Sequence, residues 1–262
     1  ITPSRIPYYH RGGSVNWRDD WGVYISCKIQ KMSAHSSIDP NITLSKEVSS
    51  VCYSTYETQL NSFWAGCRIE ANHINGDVVE CGIGAGGNFA FMIKGCLSAN
   101  PNTNRTFWGY DSFQGIQLAG KNDTEQAGIG AITHDVNVPV EDLLVSSGIT
   151  VHPEDEVRGN LVKWGLWDKA RIKLVSGWVQ NSMEDQTPDK IAILRLDMDI
   201  YEPTAYVLRK LYDRISKGGI VIIDDWALAG VRKAVEEFWQ EIGISPEVRT
   251  IENSTPIWWV KS

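Results

Sequence analysis

The chain has 262 residues, 42% of them hydrophobic and 22% charged, with 32 Asp and Glu against 25 Lys and Arg and a formal charge of −7. Usage of this kind excludes disorder along the whole chain, and the acidic balance excludes a general electrostatic grip on nucleic acid. Every apolar run is shorter than the ~20 residues that cross a bilayer, so no membrane partner is expected, and at ~150 residues per domain the length fits one enlarged domain or one domain with a lid.

The first 40 residues, with the run YYHRGGSVNWRDDWGVY, show neither helical nor strand periodicity and read as an arm. Between Leu44 and Ile74 the positions Val48, Val51, Cys52, Tyr56, Leu60, Phe63, Trp64, Cys67 and Ile69 recur at threes and fours, the stripe of one or two amphipathic helices. Residues 1–75 are therefore expected to form an N-terminal arm and helical lid, and residues 76–262 the core.

Beyond Gly76, short apolar runs alternate with helical patterns. Residues 77–81 form a strand that ends in a glycine cluster, followed by a helix marked by Phe89, Met92, Ile93, Cys96 and Leu97. Further strands are expected at 107–110, 171–175, 191–196 and 220–223, ending near Asp111, Gly177, Asp197 and Asp224. Strands this apolar, separated by helices, belong to a mostly parallel sheet covered on both faces, an α/β fold. Between the last two, Pro203 opens a helix, Val207, Leu208, Leu211 and Ile215 form its stripe, and Gly218 and Gly219 stop it. Another helix carries Val231, Ala234, Val235, Phe238 and Ile242, and residues 256–260 are expected as a last strand at the far end of the sheet. Residues 114–160, with weak periodicity, read as an insertion over the site.

In an open parallel sheet, ligands bind at the carboxyl ends of the strands. Here those ends carry Glu80, Asp111, Asp197, Asp199, Asp224 and Asp225, which repel one another unless a cation lies among them. The run Gly82-Ile83-Gly84-Ala85-Gly86-Gly87 satisfies G-x-G-x-x-G, with Asp111 24 residues beyond the last glycine, and fits a dinucleotide or S-adenosylmethionine equally. The acids of Asp197-Met198-Asp199 and Asp224-Asp225 lie on two strand tips joined by one helical crossover, which returns the second pair beside the first. Hard oxygen donors gathered in this way suit Mg²⁺. Taken singly, Asp199 and Asp225 would serve as caps for the helices that follow them.

The segments GDVVECGIGAGG, FWGYDSFQGI, KLVSGWVQ, LRLDMDIYEPT and GGIVIIDDW, in this order over residues 76–240, resemble the macrocin O-methyltransferase (TylF-type) family. The resemblance implies a Rossmann-like class I methyltransferase fold and transfer of a methyl group from S-adenosylmethionine, with Mg²⁺, to a hydroxyl on the sugar of a natural product. It also implies that Glu80, Gly82, Gly84 and Gly86 line the methionine part of the cofactor. Asp111 and Ser112 would hold the ribose, Gly177 and Trp178 would lie near the adenine, Asp197, Asp224 and Asp225 would ligate the metal, and Asp199 would be the general base. The chain departs from the family at Ala85 and Gly86, where bulkier residues are usual, and at Pro203, where serine is common.

The competing readings are methylation of a phenolic or polyketide hydroxyl, a nicotinamide-dependent oxidoreductase, and a catalytically silent binding subunit. Hydride transfer leaves two acidic pairs on adjacent strand tips without a use. The histidines, His10, His35, His73, His134 and His152, have no ligand spacing and read as loop or surface residues, with His134 placed to face the pocket. Five cysteines without C-x-x-C pairing fit a reduced, cytoplasmic setting. The expected partners are a small-molecule acceptor and further copies of the chain in a homo-oligomer. Tyr8, Tyr9, Trp17 and Trp21 in the arm are candidates to stack on a sugar ring.

Overall fold

The computed structural model describes residues 40–123, 138–184, 186–251 and 253–262. The aromatic arm with Tyr8, Tyr9, Trp17 and Trp21 lies outside the described residues, as does His134. Two helices come first, α1 (Pro40–Val48) and α2 (Tyr56–Ala71). The second begins at Thr55, whose hydroxyl accepts a hydrogen bond from Thr58 N at 3.2 Å and so satisfies one of the amides that a helix start leaves unpaired. Strands and helices then alternate: β1 (Asp77–Cys81), α3 (Gly87–Ala99), β2 (Phe107–Asp111), α4 (Glu154–Lys163), β3 (Ile172–Ser176), α5 (Val179–Ser182), β4 (Ile191–Leu196), α6 (Tyr201–Leu211), β5 (Ile215–Ile223), α7 (Ala229–Ile242), β6 (Arg249–Thr250) and β7 (Ile257–Val260).

The sheet order is β3-β2-β1-β4-β5-β7-β6, parallel from β3 to β5 with β7 antiparallel to both its neighbours. The mostly parallel α/β sheet expected from the strand pattern is therefore present. One face packs Val79, Leu194, Leu196, Val221 and Ile223 against Val207, Leu208 and Leu211 of α6 and Val231, Val235 and Phe238 of α7. On the other side α2 reaches β4 and β5 and lies along α3. That helix pair is close because glycines stand at the crossing: a Cβ at Gly95 would fall 2.1 Å from Phe63 O, and one at Gly66 2.4 Å from Met92 O.

Three boundaries differ from the periodicity. Ile215 does not belong to the α6 stripe; the helix ends at Leu211, a 3-10 turn spans Tyr212–Arg214, and Ile215 opens β5 by pairing with Ile191. The pairing register then shifts before Ile193 meets Ile220, and Gly218, with φ +82°, sits inside that irregularity rather than as a helix stop. Ile242 is 40% exposed at the end of α7 and adds nothing to the core. The last strand is not at the edge: β7 lies between β5 and β6, a two-residue edge strand too short for any alternation to reveal. Among the described residues no helix is long and apolar enough to cross a membrane.

Candidate functional site

The register of the central strands decides where the acids lie. Leu196 pairs with Ile223, and Cys81 with Leu196. Asp224 N donates to Leu196 O and Asp197 N to Cys81 O, each at 2.9 Å, so Asp197 and Asp224 leave neighbouring strands at one level. Carboxylate oxygens of Asp197, Asp224 and Asp225 all lie within 4.8 Å of one another. Asp199 stands beside this trio. It adopts φ +65°, a left-handed conformation that Asp tolerates better than most residues, and its N donates to Asp225 Oδ2 at 2.9 Å.

The trio borders a cavity of about 280 Å³ at the carboxyl ends of β1 to β5. Of the residues singled out in the sequence, Glu80, Gly82, Gly84, Asp111, Ser112, Gly177, Trp178, Asp197, Asp199, Asp224 and Asp225 all line it. Gly86 does not. It caps α3 with φ +91°, and the side chain it lacks would face Val157 of α4 at 3.3 Å, so its part is to seat that helix and not to border the cavity. Asp111 Oδ2 accepts from Gly84 N at 3.0 Å and its Oδ1 from Phe113 N at 2.8 Å, which pins the glycine turn to the tip of β2. Ser112 is occupied within its own turn, donating to Gly115 O at 2.7 Å and accepting from Gln114 N at 3.0 Å.

A cation does lie among the acids, and it belongs to the protein. Arg195, on β4 and fully buried, donates from Nε to Glu80 Oε1 at 2.9 Å, and from one terminal nitrogen to Asp197 Oδ2 at 3.0 Å and Asp224 Oδ1 at 2.5 Å. A strand reading of 191–196 gives no hint of this, because the arginine occupies a position that the apolar pattern assigns to the core. One guanidinium does not balance all the acids. Burial pushes the Glu80 carboxyl up to about 8 against the pull of Arg195. Burial, reinforced by Asp224 and Asp225, raises that of Asp197 well above the carboxylate range. Asp225 is raised by burial and by Asp199, and Asp199 reaches about 8 through burial and the charges of Asp197 and Asp224. For Arg195 itself, burial opposes the charge but the surrounding carboxylates outweigh it.

The donor set is chemically suited to a divalent ion: three hard carboxylate oxygens, close together, still carrying repulsion that one arginine leaves uncompensated. Other lining residues carried no signal in the sequence. His152, read as a loop or surface residue, lines the cavity and hydrogen-bonds Glu156 through Nδ1 at 3.0 Å, with its ring near Gly84. Val51 and Cys52, counted in the helical stripe by their spacing, lie instead in the connection between α1 and α2, from which Cys52, Tyr53 and Ser54 reach the cavity, with Tyr53 92% exposed.

The profile of the Macrocin-O-methyltransferase (TylF) family matches residues 57–261. The chain belongs to this family. It is 33% identical over 188 residues, 72% of this chain and 67% of the relative, to 8-demethyl-8-(2,3-dimethoxy-alpha-L-rhamnosyl)-tetracenomycin-C 4'-O-methyltransferase of Streptomyces olivaceus. It is 34% identical over 185 residues, covering 71% and 68%, to mycinamicin III 3''-O-methyltransferase of Micromonospora griseorubida. Among solved structures it is similar to the O-methyltransferase NovP, with a TM-score of 0.66, 25% identity, and coverage of 86% of this chain and 100% of that one. The protein is an O-methyltransferase of Rossmann-like class I fold. The oxidoreductase reading and that of a catalytically silent subunit fall with this finding.

Proposed function

We propose that this TylF-family enzyme transfers the methyl group of S-adenosylmethionine to a sugar hydroxyl of a glycosylated small-molecule natural product, with Mg²⁺ held by Asp197, Asp224 and Asp225. The observation that carries the metal is the approach of those carboxylates to within 4.8 Å on adjacent strand tips. The acceptor class is supported by the activities of relatives, which methylate a rhamnosyl tetracenomycin, demethyldecarbamoylnovobiocin and mycinamicin III.

When bound, the metal would supply Lewis acidity toward an acceptor hydroxyl and the cofactor an electrophilic methyl on sulfur. The chain does the rest. Gly82 and Gly84 let the backbone approach the cofactor at the start of α3, and Asp111, fixed by Gly84 N and Phe113 N, keeps lone pairs for the ribose hydroxyls. Glu80, held by Arg195, offers Oε2, which is buried without a partner, to the cationic amino group of the methionine end. Asp199 takes the proton of the reacting hydroxyl on its carboxylate. Burial alone keeps this carboxyl above the ordinary aspartate range, which makes it a better proton acceptor. Confinement of acceptor and donor in one cavity converts a bimolecular encounter into a positioned one, worth up to ~7–11 kcal/mol in favourable cases.

The test is a screen of sugar-bearing acceptors of the kinds named above with labelled S-adenosylmethionine, run with and without EDTA and with Mg²⁺ restored. Methyl incorporation that EDTA abolishes and Mg²⁺ recovers supports the reading. Full incorporation in EDTA removes the metal, and incorporation confined to phenolic aglycones removes the sugar.

A further inference from the structure

Asp199 stands at the centre of a three-residue turn: Ile200 N donates to Met198 O at 2.8 Å, with φ +65° at Asp199 between them. A turn closed in this way around a residue with positive φ is rare and strained, and such a backbone persists only where its surroundings over-determine it. On one side the turn is held by Asp199 N, which donates to Asp225 Oδ2 at 2.9 Å. On the other side α6 begins, and its N-cap is Ile200, whose side chain offers no acceptor to the amides of the first turn. The acceptor comes from elsewhere in the chain: Tyr201 N donates to Asp123 Oδ1 at 2.9 Å.

Asp123 is firmly seated for that task. It is 3% exposed. Its Oδ2 accepts from Gly120 N at 3.2 Å and its own N donates to Gly120 O at 3.0 Å, which closes a short loop around the carboxylate. The adjacent Asn122 donates to Glu202 Oε1 at 3.4 Å and accepts from Lys233 Nζ at 2.7 Å, so the same stretch is fastened to both α6 and α7. A carboxylate at a helix start is favoured by the partial positive charge of the first-turn amides as well as by the hydrogen bond itself. The strained turn therefore lies between two carboxylate anchors, Asp225 before it and Asp123 after it. Asp123 does not line the cavity, so any influence it has on the reaction passes through this backbone.

Resting on the reading of Asp199 as the base, we propose that Asp123 is a positioning residue for it, holding the turn of Asp199 from the α6 side by capping that helix from a distant segment. The first readout needs no acceptor. Amide hydrogen exchange of the full chain, followed by NMR, is compared between the wild-type protein, Asp123→Ala, which removes the cap, and Asp123→Asn, which keeps an acceptor for Tyr201 N; the β1 amides report global stability. In Asp123→Ala the protection of the Tyr201 and Asp199 amides is expected to fall about fivefold or more relative to β1, as the usual worth of a cap implies, and Asp123→Asn is expected to restore it. Loss confined to Tyr201, or loss shared equally by β1, makes Asp123 a plain structural contact and overturns the inference. Should Asp123→Ala not fold, Asp123→Ser, one bond shorter, takes its place with the same expectations.

The second readout is single-turnover methyl transfer with labelled S-adenosylmethionine and an acceptor from the screen above. Asp123→Ala is expected to slow it about fivefold or more in the wild-type background but by less than about twofold where Asp199→Asn is already present, because a residue that acts through the base then has nothing left to act on. Affinity for S-adenosylhomocysteine is expected to stay unchanged in each. An equal loss of rate in both backgrounds overturns this inference alone, whereas wild-type turnover in Asp199→Asn overturns the reading of the base and this inference with it.

Discussion

Arg195 Nε donates to Glu80 Oε1 at 2.9 Å between paired positions of β4 and β1, and both side chains are almost wholly withdrawn from solvent. A guanidinium at the centre of a sheet is tolerable only among acceptors that answer its charge, and the same group also serves Asp197 and Asp224. The arginine thereby fixes the orientation of two of the acids at the site, while on Asp225 it acts through its charge and not through a hydrogen bond.

Replacement of Arg195 by Met is therefore expected to cost about 3–5 kcal/mol of stability, the range found when one member of a buried ion pair is removed. Without the guanidinium, the carboxyl of Glu80, which Arg195 pulls down against burial, holds its proton more firmly in the folded state. Its folded pKa then lies above the value of about 8 in the wild-type protein, so the stability deficit is constant while both proteins keep the proton and grows as pH rises through about 8. Urea denaturation of both proteins at about pH 6 and about pH 9, either side of that value, measures this; a deficit independent of pH would mean that the arginine acts by packing alone.

The strands were legible because each is a nearly continuous apolar run, and the acids at their tips were legible because a parallel sheet must end them all on one side. Asp197, Asp224 and Asp225 met as the crossover rule required. Arg195 was not legible as a partner of those acids: on a strand buried on both faces it interrupts the pattern by a single residue, and only the β1–β4 register sets it opposite Glu80. Helix α4 had its signals, Pro153 before it, Glu154, Asp155 and Glu156 in the first turn and Lys163 in the last, but buries only Val157 and Leu161, so no stripe stood out. His152 and Gln117 reach the cavity from irregular segments whose course depends on long-range contacts such as the bridge from Gln117 to Ser146.

Asp199→Asn is expected to lower turnover by about 10²–10⁴-fold, the usual worth of a general base, with little change in affinity for S-adenosylhomocysteine. Asparagine is the appropriate replacement because it tolerates the left-handed backbone at this position and leaves Asp199 N free to donate to Asp225. Single-turnover rates and calorimetry on the variant separate the two effects. Wild-type turnover in that variant would exclude Asp199 as the base.

The glycine turn permits a paired comparison. An alanine at Gly82, with φ +79°, would place its Cβ 1.7 Å from Asp197 O, so that either β4 or the turn must move. At Gly84, with φ +48°, the nearest atom is His152 Cδ2 at 3.9 Å, and only the left-handed backbone, at about 1–2 kcal/mol, stands against the substitution. Gly82→Ala is therefore expected to lower the melting temperature far more than Gly84→Ala and to disturb the acidic trio through Asp197. Equal shifts for the two variants would show that the turn relaxes freely.

Asp123 provides a titration away from the acids of the trio. Its Oδ1 accepts from Tyr201 N at 2.9 Å and its Oδ2 from Gly120 N at 3.2 Å, tying the segment after β2 to the start of α6. Burial nevertheless raises its pKa to about 6, against these hydrogen bonds, which favour the charged form. A folded pKa above the unfolded one means that the stabilising contribution is complete below about pH 4 and is lost as pH rises through 6. Asp123→Asn, which carries no titrating proton, escapes that loss. Between pH 5 and 7.5 the difference in unfolding free energy is therefore expected to move in favour of the variant by about 1 kcal/mol. Groups common to both proteins cancel from the difference, so a flat difference across that range in paired urea denaturations would show that Asp123 is ionised throughout.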